Sequence, residues 1–187
     1  MSELAAPRGL TERLLLGWRA PVRAIEAEVA SAPGEPRLLA YAVGAAFFLT
    51  LGPVLSEAIR PLENLGEDRM AWFSMRFVFG MSFLPLSLYL VASVVRITAA
   101  GFGGEGDWRV GRLALFWSAL ISSPLAVLAH VVGAVAGYSD LAAIVAGLIW
   151  AFWLTPAIAV CFSLNLRHVA IFMIVIAIVS QFARMWV

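Results

Sequence analysis

Few residues in this chain carry side chains suited to chemistry, and their spacing limits what that chemistry could be. Glu57 and Arg76 are each the single charge inside a long apolar run. Glu57 stands about one turn before the end of its run. Arg76 stands six residues into the next, roughly 9 Å in at 1.5 Å per residue. Both therefore fall in the outer part of a membrane on sequential helices, where a charge is costly unless paired or watered. The expected role is a structural ion pair that fixes helix packing; a proton or ion pathway is the alternative. His130 follows Arg112 by 18 residues, roughly 27 Å along a helix, whereas His168 opens the last apolar run. Two axial haem ligands must meet at one depth, and these do not. Neither histidine has a second His, Cys or carboxylate at ligand spacing. Cys161 is the only cysteine, so an internal disulfide or CxxC site is excluded. The glycine run from Gly101 to Gly106 follows an apolar helix, not a strand, and no βαβ unit surrounds it. A Ser–His–Asp set would have to combine His130 and Asp140 with a serine, and nothing further supports it. No catalytic, cofactor-binding or metal-binding residues are expected.

The elements that position these residues are membrane helices. Of 187 residues, 62% are hydrophobic and 13% charged, with mean hydropathy +0.91. Soluble domains carry about a quarter charged residues, and so much apolar sequence cannot be hidden inside a globule of this length. Every one of the 13 basic residues is arginine and the net charge is +1. Schiff-base chemistry and a P-loop lysine are thus excluded, as is a basic field for nucleic acid. An apolar helix of roughly 20 residues crosses a bilayer, and five stretches qualify: 38–59, 70–95, 113–136, 141–164 and 169–187. The first four each hold one proline, Pro53, Pro85, Pro124 and Pro156. Neighbouring helices and hydroxyls can satisfy the carbonyls that proline frees; Ser122 and Ser123 stand beside Pro124 for that purpose. Gly133 and Gly137 form a GxxxG that permits close helix contact. Tyr41 and Trp108 are placed as inner interfacial residues, Trp72, Tyr138 and Trp186 as outer ones.

Nine arginines flank the apolar runs on one side and three on the other, which places the N-terminus in the cytoplasm and, with five spans, the C-terminus outside. Residues 1–37 form a cytoplasmic segment before a membrane domain at 38–187. Within it Leu14, Trp18, Val22, Ile25 and Val29 recur at helical spacing, with Arg19, Arg23 and Glu28 among the polar positions. That amphipathic pattern suits a membrane surface, its own bundle or a partner, and Pro21 is a candidate break within it. The contact residues expected there are Leu14, Trp18, Arg19, Val22, Arg23 and Ile25.

The stretch Gly103-Gly104-Glu105-Gly106, then Arg112-Leu113-Ala114-Leu115-Phe116-Trp117, then Ser122-Ser123-Pro124-Leu125 resembles the Yip family, the Ypt/Rab-interacting membrane proteins and their small bacterial relatives. Trp18-Arg19-Ala20-Pro21 and Arg37-Leu38-Leu39-Ala40-Tyr41 are similar to it as well. The likeness runs from about Trp18 to Asn165 and rests most on Gly103, Gly104, Gly106, Arg112, Leu115, Phe116, Trp117, Ser123 and Pro124. It implies a cytoplasmic N-terminal region and a five-helix transmembrane bundle. It transfers no catalytic residue. The chain is therefore expected to be an all-α, multi-pass protein of the bacterial inner membrane. Its expected role is non-enzymatic, an organiser or accessory subunit that binds lipids and other integral membrane proteins. The alternative is a small transporter or channel using Glu57, Arg76 and the kinked helices.

Overall fold

Prolines and glycines set the helix boundaries of this chain. The computed structural model describes residues 9–60, 69–165, 167–171 and 173. Six helices follow in order: α1 (Leu10–Arg19), α2 (Pro21–Ala30), α3 (Glu35–Ile59), α4 (Arg69–Gly101), α5 (Trp108–Ala136) and α6 (Ser139–Cys161). Pro21 and Pro36 sit in the first turns of α2 and α3, where proline's missing N–H is no loss. Asp107 caps α5 by accepting from the Val110 amide at 2.7 Å. Gly137 ends α5 in the left-handed conformation (φ +86°), which glycine adopts without a Cβ penalty.

Helices α3 to α6 are long and apolar enough to cross a membrane, which makes this a helical membrane protein. Their bounds match the first four expected spans to within six residues, the largest difference being the end of α4 at Gly101 rather than 95. The fifth, 169–187, lies outside the described residues beyond position 173. Residues 167–171 are helical, and Val169 is buried.

The four helices run antiparallel in sequence order. Their near end gathers Glu35, Arg112 and the 101–108 turn, whose Glu105 amide bonds the Phe162 carbonyl. Their far end carries Glu57 and Arg76. Helix α5 is the centre: it touches α1, α2, α3, α4 and α6. From Leu113 to Ser123 every residue of α5 is buried, whereas Leu128, Val132 and Val135 form an exposed stripe in its far half. A helix buried on all sides needs neighbours on all sides, and the near half of α5 has more of them because α1 and α2 are added there. Pro124 removes the amide that would bond the Leu120 carbonyl, and the Ser123 hydroxyl donates to that carbonyl instead at 3.0 Å. At the far end a Cβ on Gly133 would meet Ala142 Cβ at 2.4 Å. The first GxxxG glycine thus serves the α5–α6 contact within the chain, and the second serves the cap.

Candidate functional site

The chemistry-bearing residues gather where α1 and α2 meet the near end of the bundle. These two helices are joined by one residue, Ala20, and Arg13 meets Glu28, so they form an antiparallel hairpin. Helix α2 buries Ala24, Ile25 and Glu28, one stripe at helical spacing. Glu28 therefore enters the core with the apolar residues beside it and is only 2% exposed. This corrects its sequence-based placement on the polar side of the segment. A buried carboxylate must be paired and hydrogen-bonded, and Glu28 is. Arg13 Nη1 donates to Oε1 at 3.0 Å, and Arg37 Nη2 donates to Oε2 at 2.8 Å. The Tyr41 hydroxyl donates to Oε2 at 3.0 Å and accepts from Arg37 Nε at 2.6 Å. Tyr41, expected as an interfacial residue, is buried in this cluster and packs against Trp117, with ring centroids 5.1 Å apart. Sequence periodicity had no means of finding the set, since positions 13, 28, 37 and 41 belong to three helices.

The hairpin tip reaches deep into the bundle. Gly17 is buried against Ile121. The Trp18 indole donates to the Ile121 carbonyl at 2.9 Å, and the Trp153 indole donates to the Gly17 carbonyl at 2.9 Å. Ile121 lies nine residues beyond Arg112, about 14 Å along α5. Of the expected contact stripe, Ile25 is buried and Leu14 and Val29 pack against the core. Trp18 and Val22 remain 42% and 45% exposed, with Arg19 and Arg23 exposed beside them. The stripe divides because Pro21 starts a second helix, so a single 100° periodicity does not run through both.

At the far end the expected pair is present: Arg76 Nη1 lies 3.2 Å from Glu57 Oε1. Arg76 also stacks its guanidinium 5.1 Å from the Trp72 ring centroid. Arg76→Leu is expected to lower stability by about 1–2 kcal/mol, because it leaves the Glu57 carboxylate without its cation. The loss is small because the Arg76 side chain is 45% exposed and solvent screens the pair. Adding Glu57→Leu should return most of the loss. Unfolding titrations of both variants in detergent check this; a double variant no better than the single one overturns the structural role.

The remaining candidates are packing groups in this geometry. Leu115, Phe116 and Trp117 are fully or nearly buried in the core, and Arg112 pairs with Glu35 beside the Tyr89 ring. Gly103 turns with φ +82° between α4 and α5. On Gly106 a Cβ would sit 2.8 Å from the Cys161 carbonyl oxygen. Cys161 is buried. His130 lines a cavity of about 310 Å³ among α3, α4, α5 and α6, with Ser87, Ser122 and Trp150. Neither Glu57 nor Arg76 lines that cavity. His168 stacks with Phe102 at the near end, 6.2 Å between centroids. Among the described residues no three His, Cys, Asp or Glu side chains come together to hold a metal. No protein-family model, no curated protein and no solved structure matches this chain.

Proposed function

We propose that this chain is a non-enzymatic membrane organiser or accessory subunit that binds other integral membrane proteins through the exposed side of the α1–α2 hairpin. The observation that carries this reading is the exposure of Arg19, beside the half-exposed Trp18, at a tip tied to Ile121. With the near end at one membrane face, that tip lies about 14 Å in. A charge at such depth is costly unless protein or water covers it, and an acidic partner helix supplies both the cover and the counter-charge. Trp and Arg are also the residue types that dominate binding hot spots. The hairpin is held from behind by the Glu28 cluster and the two indole bonds, so little ordering remains to oppose docking.

The test replaces Arg19 and Arg23 by glutamate, two exposed side chains. Expected is loss of co-purifying membrane proteins in mild detergent with an unchanged melting midpoint. Co-purification that persists at full level removes the hairpin from the interface and sinks the reading.

We propose as well that the chain has five spans in a bacterial inner membrane, a cytoplasmic N-terminus and a kinship with the Yip proteins. The excess of arginine around the near end supports the orientation. Reporter fusions at Gly103 should report cytoplasm and fusions after Val187 periplasm. A cytoplasmic signal from both would remove the fifth span.

A further inference from the structure

The Glu28 cluster opens onto a pocket of about 340 Å³ lined by Leu10, Arg13, Arg37 and Tyr41. We propose that this pocket binds the phosphate of an anionic lipid headgroup. Two guanidinium groups against one carboxylate give the cluster a charge of +1. A guanidinium carries five N–H donors. Among the bonds of this cluster, Arg13 uses one on Glu28, and Arg37 uses one on Glu28 and one on Tyr41. The bonds within the cluster thus occupy three of the ten donors, and both arginines line the pocket. A phosphate, with several acceptor oxygens and a negative charge, matches a pair of guanidiniums better than any neutral group does. Glu28 has a second effect: it fixes both arginines before a ligand arrives, so less side-chain freedom is lost on binding.

Two features select a lipid over a soluble phosphate. Arg37 immediately precedes the apolar run that begins at Leu38, so the pocket sits at the boundary between polar and apolar layers, the level of headgroup phosphates. Leu10 lines the same pocket and is 51% exposed. It gives glycerol and acyl carbons an apolar wall, which a free phosphate does not use.

The experiment offers the purified full chain in neutral detergent phosphatidylglycerol, phosphatidylcholine or inorganic phosphate. It reads retained lipid by mass spectrometry and the melting midpoint. The expected result is retention of phosphatidylglycerol about tenfold above phosphatidylcholine, a raised midpoint with phosphatidylglycerol, and no shift with inorganic phosphate. Removing either arginine also disturbs Glu28, so the informative variant is Leu10→Asp. It places a carboxylate at the pocket mouth and leaves the Glu28 bonds in place. It should abolish the preference while melting normally in phosphatidylcholine. No preference in the parent chain, or a preference that survives Leu10→Asp, overturns the site. An equal response to inorganic phosphate overturns the lipid assignment.

Discussion

Replacing Arg13 and Arg37 together by leucine should lower the stability of the bundle by about 3–5 kcal/mol, because it leaves the Glu28 carboxylate buried without a cation. The Glu28 side chain is only 3% exposed, and both of its oxygens depend on these arginines and Tyr41. Glu28→Gln should cost less, about 1–3 kcal/mol, since the amide can still accept from one arginine and the guanidiniums keep partial access to water. The arginine side chains are 22% and 32% exposed, against 3% for Glu28. Denaturant titration in detergent, followed by tryptophan fluorescence, measures both variants. Equal losses would mean that the carboxylate is better hydrated than its burial implies. Negligible losses in both would mean that the cluster does not hold the hairpin.

Gly17→Leu should detach the hairpin from α5. A Cβ at this position would stand 2.3 Å from Ile121 Cδ1 and 3.2 Å from Cγ1. The clash falls beside the two bonds that hold the tip, Trp18 to Ile121 and Trp153 to Gly17. Overpacking and the loss of these bonds together should cost about 3 kcal/mol. Protease should then cut within α1 and α2 while α3 to α6 stay protected. Ile121→Ala in the same chain should give part of the protection back, because it removes the atoms that clash. Full protection of the Gly17→Leu chain would show that α1 can shift along α5 without releasing the bundle.

The two regions differ in how legible they are from sequence. Glu57 and Arg76 could be paired from sequence because each is the one charge in a long apolar run, and sequential antiparallel helices place them at one depth. Two fixed quantities, rise per residue and helix order, are enough. The Ser123 hydroxyl could be expected near Pro124 for a similar reason: the carbonyl freed by proline is always four residues back. Four helix spans and the break at Pro21 are local properties of the same kind.

The Glu28 cluster is not local. In the sequence Glu28 reads as one more polar residue of an amphipathic segment, alongside Arg19 and Arg23. Which side of α2 turns inward depends on what α5 and α6 offer, and they offer a gap in the near half of the bundle that α1 and α2 fill. That gap decides that Ile25 and Glu28 are buried together, that Arg37 and Tyr41 turn toward them, and that Trp18 finds a backbone carbonyl in mid-helix. The amino-acid sequence by itself determined that this is a helical membrane protein, where its helices α3 to α6 lie to within six residues at each end, and which two charges face each other at the far end. Only the tertiary structure decided that the N-terminal segment folds back as a wedge, because the depth of a helical hairpin is set by packing between segments remote in sequence, for which no periodicity along one helix provides a signal.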